Sequence, residues 1–401
     1  MTATREMNTD PIKVLAISHA CVSPVNRHVY RHLQSRGLAI EIVVPQKLYK
    51  DEKRIVAAPA QPEDPPLHFE PMYGSNGRLF WYPRLQAVLD RVRPDVVFAE
   101  ADTASLITIA AGWWCRRNGA RLICRTAENL SWRGDDTVRR VGWNELPRAI
   151  AKTSINGLVR GNVEAVCTTS LESAALFRRH GYRNVQFVPM GTNRALFRYS
   201  SRIRNATRAT LGIGADEIVV SYFGRTIPEK GVDTLITAMG ALKHLPWRLL
   251  VNKFEDQTAY VAQIERMLQE IGIGDRVVWA RSQHGEIARL MMASDVAVVP
   301  SRTTPKWVEQ YGRVVPEAMS CGNVPIVSDS GAPKELVGEA GYVFPEGDHA
   351  ALSRLLAGLM ADPGECLRRR KLAMRRSDRY YSIAVEAAMY ERLFRTGHVD
   401  R

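Results

Sequence analysis

Short apolar, β-branched segments alternate with helical patterns along almost the whole chain of 401 residues. An apolar segment bounded by turn residues indicates a buried strand, and a helix between two such strands indicates a parallel sheet covered by helices on both faces. We predict an α/β protein with two Rossmann-like domains. The predicted strands are 13–18, 40–44, 95–99, 121–125, 165–168 and 185–188 in the first half, and 218–223, 248–251, 277–279, 296–299, 324–327 and 342–344 in the second.

The two predicted domains join near residues 189–193. We place an N-terminal domain at 1–192 and a C-terminal domain at 193–380. The final segment has Ile383, Ala387, Tyr390 and Leu393 at helical spacing, which predicts a terminal helix within 381–401 that packs back on the body of the protein. The stretch 47–78 is rich in proline and charged residues, which predicts irregular structure there.

Composition places the chain among ordinary globular proteins, with 45% hydrophobic and 24% charged residues. Its six scattered cysteines lack the spacing of a zinc or redox motif, which predicts reduced thiols and a cytoplasmic location. The first ten residues are polar and unlike a secretory signal. The longest apolar stretch, 106–115, is too short to span a bilayer. We therefore expect a cytoplasmic protein, either soluble or peripheral at the inner face of the membrane.

The formal net charge of +13 points to an anionic partner: nucleic acid, an anionic membrane surface or a phosphorylated substrate. Basic residues cluster at 368–371 and 375–376, and they recur through 132–160 among apolar residues. Two interpretations of the 132–160 region stay open: a solvated basic helix face, or a helix that lies on a membrane surface. Nucleic acid is the weakest of the three candidates, because no zinc module, RNP-type stretch or helix-turn-helix pattern is present.

Two glutamates, Glu309 and Glu317, flank a glycine loop at Gly312. Glycine lets the backbone approach a ligand closely, and the residues after it are typical of a helix start, with Pro316 and Glu317 in the first turn. Free N–H groups at a helix start attract phosphate. Carboxylates accept strong hydrogen bonds from sugar hydroxyls, although Glu317 would also suit simple stabilisation of the helix dipole.

A second motif follows the predicted strand 218–223. Gly224 marks the turn after the strand, and two cations, Arg225 and Lys230, lie before the next helix. Open α/β sheets bind ligands at the carboxyl ends of their strands. A guanidinium and an ammonium at that edge suit a diphosphate, although surface cations after a strand are the plainer alternative.

With these motifs in place, the chain resembles the retaining nucleotide-sugar glycosyltransferases of family 4, the group 1 enzymes. The resemblance covers most of the chain and is strongest over 188–348. Residues 223–231 are similar to the family's phosphate motif, and 309–317 to its motif of two glutamates separated by seven residues. Residues 293–301 and 328–335 match the strand before that motif and the turn after it, so four motifs occur in the expected order.

The resemblance implies the GT-B fold, in which two Rossmann-like domains face each other across a cleft and a C-terminal helix returns to the N-terminal domain. It implies donor binding in the C-terminal domain and acceptor binding in the N-terminal one. It also implies that no metal and no other cofactor is required beyond the nucleotide-sugar co-substrate. Glu309, Arg225 and Lys230 would be catalytic. The donor site would consist of Gly224, Arg225, Lys230, Arg281, Glu309, Tyr311, Gly312, Arg313, Val314, Val315 and Glu317.

On the acceptor side the chain departs from the family in two places. Many members have a Gly-Gly pair after the first strand, where this chain has 19–27, and Asn26 or Arg27 would substitute. Where some members place a functional histidine, this chain has Glu128 and Asn129. Two further candidates, His19 and Asp102, follow predicted strands, although His19 also suits a polar cap. The candidate acceptor residues are therefore His19, Asn26, Arg27, Asp102, Glu128 and Asn129.

The leading functional hypothesis is a retaining transferase that moves a hexosyl unit from a UDP- or GDP-sugar to a hydroxyl group. Its acceptor would be a sugar, lipid-linked or phosphorylated, and the step would belong to bacterial polysaccharide, lipopolysaccharide or glycolipid assembly. One alternative is a synthase acting on a soluble sugar, sugar phosphate or other small molecule. The third hypothesis, a basic nucleic-acid-binding protein, has little support in the sequence. We therefore expect no nucleic-acid partner.

Overall fold

The computed structural model describes residues 11–50, 53–74, 78–214, 217–252, 258–280, 282 and 284–399. The chain divides into two compact units. Unit 1 consists of the described parts of Met1–Thr169, Ser173–Val188 and Glu386–Arg401, and unit 2 of Ser170–Glu172 and Pro189–Val385. The predicted boundaries at 192 and 381 lie four and five residues from these divisions. The assignment of acceptor and donor binding to the two domains stays a prediction.

The main sheet of unit 1 has seven strands among the described residues, and every neighbouring pair is parallel. The strands of unit 1 are β1 (Lys13–Ile17), β2 (Ala39–Pro45), β3 (Lys47–Lys50), β4 (Lys53–Val56), β5 (Leu67–Glu70), β6 (Val96–Ala99), β7 (Arg121–Thr126), β8 (Ala165–Thr168) and β9 (Val185–Phe187). The order across the sheet is β5-β2-β1-β6-β7-β8-β9, while β3 and β4 form a separate antiparallel pair.

Helices connect these strands, as the sequence predicts. They are α1 (His28–Ser35), α2 (Leu85–Val92), α3 (Leu106–Asn118), α4 (Gly134–Val141), α5 (Leu146–Val159) and α6 (Leu171–Arg179). The prediction that 47–78 is irregular is wrong for β3, β4 and β5. Strand β5 pairs with β2 on one side only, with Ile42 opposite Leu67. An edge strand needs no long apolar run, so a short one after Pro65 and Pro66 leaves little periodic signal.

Unit 2 contains the remaining elements. Its strands are β10 (Ile218–Phe223), β11 (Trp247–Asn252), β12 (Val277–Ala280), β13 (Val296–Val299), β14 (Val324–Ser328) and β15 (Tyr342–Phe344). They form a parallel sheet in the order β12-β11-β10-β13-β14-β15. Its helices are α7 (Ser201–Thr210), α8 (Val232–Ala241), α9 (Ala259–Ile271), α10 (His284–Ala293), α11 (Val314–Ser320), α12 (Pro333–Val337), α13 (His349–Ala361) and α14 (Pro363–Tyr380). The last helix, α15 (Ile383–Thr396), begins in unit 2 and belongs to unit 1 from Glu386 onward.

Apolar strands and helix faces form the core of each unit. In unit 2 the strands pack with Leu235, Trp247 and Ile264, all essentially buried. In unit 1 the returning part of α15 packs on the sheet, where Phe98 contacts the rings of Tyr390 and Phe394 at centroid distances of 5.0 and 5.2 Å. The predicted α/β fold of two Rossmann-like domains, with a C-terminal helix that returns to the N-terminal one, is confirmed.

Each sheet has one point where its strand order reverses direction. In unit 1 this switch lies between β1 and β6, and in unit 2 between β10 and β13. Connections that leave two adjacent strands in opposite directions open a crevice at their carboxyl ends, which is where open α/β sheets bind ligands. All six cysteines are buried and free. No helix in the described part of the chain combines the length and apolar character needed to cross a bilayer.

Candidate functional site

The switch point of unit 2 brings the two sequence motifs together. Gly224 directly follows β10, and Ser301 follows β13 by two residues. The turn after β10 is held by the Tyr222 hydroxyl, which donates to the Arg225 carbonyl at 2.6 Å. A Cβ atom on Gly224 would lie 2.8 Å from that hydroxyl oxygen, so glycine leaves room for this bond. Arg225 itself is exposed at this edge.

Lys230 and Glu309 form an ion pair at this edge. The Lys230 Nζ lies 2.5 Å from the Glu309 Oε2, and the Ser301 hydroxyl donates to the same oxygen at 2.8 Å. The ammonium also lies 4.8 Å from the centre of the Trp307 ring, a distance typical of a cation–π contact. Glu309 is buried although it lies in a loop, which distinguishes it from an ordinary solvent-exposed acid. Neither Ser301 nor Trp307 was among the residues predicted for this site.

Two glycines fix the loops around this ion pair. Gly231 has φ of +63°, and a Cβ there would lie 2.0 Å from the Pro300 carbonyl oxygen. Gly331 also has φ of +63°, and its Cβ would lie 2.1 Å from the Glu309 carbonyl oxygen. Residues with a side chain rarely adopt such backbone angles, and at both positions there is also no space for a Cβ atom. The main chain of Glu309 is therefore set by a close approach that only glycine permits.

The glycine loop before α11 has the predicted left-handed turn, since Gly312 has φ of +74°. The Val315 N–H, however, donates to the Gly312 carbonyl at 2.8 Å, and Val315 is buried. This pairing argues against a phosphate contact from that amide. The Tyr311 hydroxyl is similarly engaged, because it donates to the Met190 carbonyl at 2.7 Å.

Glu317 lies in the first turn of α11 and is only 8% exposed. Burial raises the pKa of its carboxyl to about 7, and nearby Arg313 opposes that rise only in part. A buried carboxyl of this kind gains from any ligand that donates hydrogen bonds to its ionised form. Val314 is half-buried and Arg313 exposed at the same helix start. The predicted contact Arg281 lies outside the described residues.

The loop after β1 in unit 1 holds His19, Asn26 and Arg27. The His19 ring makes an edge contact with Phe80 at 5.9 Å, and the Asn26 amide donates to the Ala20 carbonyl at 2.8 Å. Arg27 is completely buried, with its guanidinium bonded to carbonyls and to Asp64 at 2.8 Å. It anchors this loop inside unit 1, which argues against the predicted acceptor contact.

A charge cluster, which we define as Arg78, Asp102, Glu128 and Lys152, lies where β6 and β7 end in unit 1. The Asp102 Oδ2 is 2.7 Å from the Arg78 Nε and 3.4 Å from the Lys152 Nζ. The Glu128 Oε2 is 3.0 Å from Arg78 Nη2 and 2.5 Å from Lys152 Nζ. The neighbouring cations lower the pKa of Asp102 despite its burial. The structure thus joins the two predicted acids to two cations, Arg78 and Lys152, that were not predicted as site residues.

Asn129 is half-buried beside Glu128 in the same loop. No group of three or more His, Cys, Asp or Glu side chains is arranged to hold a metal ion, within the ranges that the structure describes. Both units therefore place acidic and basic side chains at the carboxyl edge of a parallel sheet. Such an edge can neutralise a phosphate group and accept hydrogen bonds from sugar hydroxyls.

Comparison with known proteins identifies two family models. Residues 203–376 match "Glycosyl transferases group 1", and residues 22–191 match "Glycosyl transferase 4-like domain". A similar curated protein is the GDP-mannose-dependent alpha-(1-6)-phosphatidylinositol monomannoside mannosyltransferase of Mycolicibacterium smegmatis. It is 30% identical over 280 residues, which is 67% of each chain. A second is the D-inositol 3-phosphate glycosyltransferase of Segniliparus rotundus, 28% identical over 213 residues.

The second match covers 50% of this chain and 46% of that relative, so the chain spans about half of its length. Among solved structures, HepE from Anabaena in complex with UDP has a TM-score of 0.73 and 17% sequence identity. That match covers 96% of this chain and all of HepE. At this identity, the likeness establishes the fold alone.

Proposed function

The chain belongs to the group 1 glycosyltransferases, enzymes that transfer a sugar from a nucleotide-sugar donor to a hydroxyl group, and from that premise we propose its donor class and the roles of its residues. We propose that it is a retaining hexosyltransferase that uses a UDP- or GDP-sugar. GDP-mannose is the first donor to test, because the Mycolicibacterium smegmatis relative is named as GDP-mannose-dependent. The observation that supports this most directly is the Lys230–Glu309 ion pair at the switch point of unit 2.

Lys230 and Arg225 would neutralise the donor diphosphate in place of a metal ion. An ammonium group can donate three hydrogen bonds, and Lys230 donates one of them to Glu309 at 2.5 Å. The other two would reach phosphate oxygens and stabilise the nucleoside diphosphate as it leaves. We accordingly propose that the enzyme requires neither a metal ion nor another cofactor.

Glu309 would orient the transferred sugar by accepting its hydroxyl groups. We assign it no nucleophilic role, because Lys230 and Ser301 both donate to its Oε2 and withdraw charge from that oxygen. A double displacement also needs two carboxylates that flank one glycosidic bond. Retention would then follow from attack by the acceptor on the face from which the nucleotide departs. Glu317 would accept hydrogen bonds from the ribose of the donor.

The charge cluster of unit 1 is our candidate acceptor site. Asp102 and Glu128 would accept hydrogen bonds from acceptor hydroxyls, while half-exposed Arg78 would meet a phosphate group. A phosphorylated, lipid-linked acceptor fits this mixture of charges, and the name of the mycolicibacterial relative includes such a lipid. We therefore favour glycolipid assembly over the polysaccharide and lipopolysaccharide steps. A soluble sugar phosphate would fit the same charges and is the alternative.

A screen of nucleotide sugars, read by release of the nucleoside diphosphate, tests the proposal. We expect GDP-mannose or a UDP-hexose to be turned over equally well with and without EDTA, and the product to keep the anomeric configuration of the donor. GDP or UDP should also raise the melting temperature, because a ligand that binds only the folded state stabilises it. If none of GDP, UDP and ADP, each tested separately, raised the melting temperature, the proposed donor site would be ruled out.

A further inference from the structure

Helix α5 of unit 1 leaves two large apolar side chains exposed and places two polar ones on the same buried side as Ala149 and Val159. Ile150 is 56% exposed and Leu158 is 80% exposed, and Trp143 in the turn before the helix is 74% exposed. The buried side includes Lys152 and Asn156. A surface helix normally shows the opposite arrangement, with apolar residues inward and polar residues outward. Burial within unit 1 therefore does not explain Ile150 and Leu158.

Polar contacts fix this orientation. The Lys152 Nζ lies 2.5 Å from Glu128, and the Asn156 Oδ1 accepts hydrogen bonds from Thr103 and Tyr182, each at 2.7 Å. Rotating the helix to bury Ile150 and Leu158 would break all three contacts and leave their polar groups buried without hydrogen bonds. That cost would offset the gain from removing the two apolar side chains from water. The inverted arrangement is thus a property of the fold rather than of a loosely attached helix.

The outward apolar residues form a stripe that is interrupted by Ser154. We define the α5 stripe as Trp143, Pro147, Ile150, Ala151 and Leu158, which recur at helical spacing on the exposed side. At its far end the 3₁₀ turn Arg160–Asn162 borders α3, because a Cβ on Gly112 would lie 3.2 Å from the Asn162 Cβ. The next residue, Trp113, is 61% exposed and extends the apolar surface onto α3.

Exposed arginines accompany this stripe along the chain and at the end of α3. Arg133, Arg139, Arg148 and Arg160 are exposed in the same region of the chain, and Arg116 and Arg117 are exposed at the end of α3. Arg117 lies over the Trp113 ring at 5.3 Å. Acids are fewer in this region: exposed Asp135 pairs with Arg133 at 3.4 Å, and half-buried Glu145 pairs with Arg148 at 3.2 Å. Exposed apolar side chains are therefore accompanied by an excess of positive charge.

We propose that the α5 stripe docks on an anionic lipid bilayer. Tryptophan and aliphatic side chains enter the boundary between headgroups and acyl chains, while arginines remain at the lipid phosphates. A protein partner would need a matching acidic groove, whereas an anionic membrane supplies negative charge and an apolar interior everywhere. The same helix would then perform two tasks. Its outer side holds the membrane, and its inner side supplies Lys152 to the charge cluster, where a lipid-linked acceptor would arrive.

The test is binding of the full-length chain to vesicles of phosphatidylcholine alone and of phosphatidylcholine mixed with phosphatidylglycerol. We expect binding to the anionic vesicles only, weakening as ionic strength rises through about 0.15 M, where the Debye length is about 8 Å. The triple variant Trp143→Ser, Ile150→Ser, Leu158→Ser should lower partitioning at least about tenfold, since each side chain loses its apolar contact with lipid. Arg139→Gln with Arg148→Gln should weaken binding to anionic vesicles and flatten its salt dependence.

A matched control uses three exposed apolar residues of unit 2: Val343→Ser, Leu367→Ser and Tyr380→Ser. This control should bind vesicles as the wild type does. Unchanged melting temperatures and GDP or UDP thermal shifts in both triple variants establish that the folds are intact. The proposal would be overturned if the wild type did not bind vesicles, or if both triple variants lost vesicle binding to the same extent. It would also be overturned if the wild type formed a dimer that the stripe variant abolished and the control variant did not. If the wild type bound vesicles but neither GDP nor UDP changed its melting temperature, the proposed function would be refuted and this inference would stand.

Discussion

The candidate sites of the two units lie at equivalent edges of similar sheets, yet they are built differently. In unit 2 the position of Glu309 is set by main chain, because Gly231 and Gly331 approach carbonyl oxygens too closely for any other residue. In unit 1 the charge cluster is set by side chains that meet from distant parts of the sequence. A main-chain site tolerates little change, whereas side-chain pairs can be exchanged without altering the fold. That difference suits the roles that we propose, with a constant diphosphate bound in unit 2 and a variable acceptor bound in unit 1.

The largest effect that this comparison predicts is on stability, at Gly331. Alanine there must adopt φ of +63° and place its Cβ 2.1 Å from the Glu309 carbonyl oxygen. The left-handed backbone costs about 1–2 kcal/mol, and the overlap adds about 1–3 kcal/mol. We expect Gly331→Ala to lower the free energy of unfolding by about 4 kcal/mol in urea titrations, and to abolish turnover in any folded fraction.

Gly272→Ala is the matched control for this prediction. Gly272 has φ of +76°, but no atom lies within 4 Å of the position its Cβ would take. It should lose only the backbone contribution of about 1–2 kcal/mol. Equal losses in the two variants would mean that the close approach to Glu309 contributes nothing, and the contrast between the units would lose its physical basis.

The next effect concerns the pH dependence of stability at Glu317. Burial raises its pKa to about 7 from an ordinary value of 4.5, so between these two pH values the folded state binds more protons than the unfolded state. Stability must then fall as pH rises from 4.5 to 7. We expect Glu317→Gln to be more stable than the wild type by up to about 3 kcal/mol at pH 8, with the difference vanishing near pH 4.5.

Urea titrations of both proteins at several pH values measure this, and the other titrating groups cancel in the difference. A constant difference between the two proteins across this range would show that the Glu317 carboxyl is ionised at little cost. Bound GDP or UDP should reduce the difference at pH 8, because ribose hydroxyls would satisfy the ionised carboxyl of the wild type.

The third prediction is catalytic. Glu309→Gln keeps the volume of the side chain but removes its charge, and Lys230→Ala removes the cation that would face the diphosphate. Each should lower kcat at saturating donor by at least about 100-fold, the scale for losing one electrostatic contact in a transition state. Lys243→Ala, which removes an exposed lysine after α8, is the control and should retain wild-type kcat. Near wild-type turnover in both site variants would contradict the roles assigned to them.

Local patterns were sufficient to predict the fold and much of the unit 2 site. Apolar β-branched runs located every strand of the unit 2 sheet, and glycines at Gly224 and Gly312 marked the turns that the structure contains. The charge cluster was not predictable in full, because Arg78 and Lys152 lie 74 residues apart and no local pattern relates either of them to Asp102 or Glu128. The same limit applies to β5, which gains its identity only from pairing with β2, and to Ser301 and Trp307.

The smallest effect on stability should come from Arg78, where the two sites differ most. Its side chain is 48% exposed, and Lys152 remains beside both Asp102 and Glu128 when it is removed. Exposed ion pairs contribute about 1 kcal/mol or less, so Arg78→Ala should barely change the free energy of unfolding.

If Arg78 binds an acceptor phosphate, the KM of that acceptor should rise about tenfold in Arg78→Ala, the scale of one charge-assisted hydrogen bond, while kcat and donor KM stay constant. Arg84→Ala, a nearby exposed arginine, should leave the acceptor KM unchanged. A loss of stability as large as that of Gly331→Ala would show that the unit 1 site is as rigidly built as the unit 2 site, whereas an unchanged acceptor KM would remove Arg78 from the acceptor site.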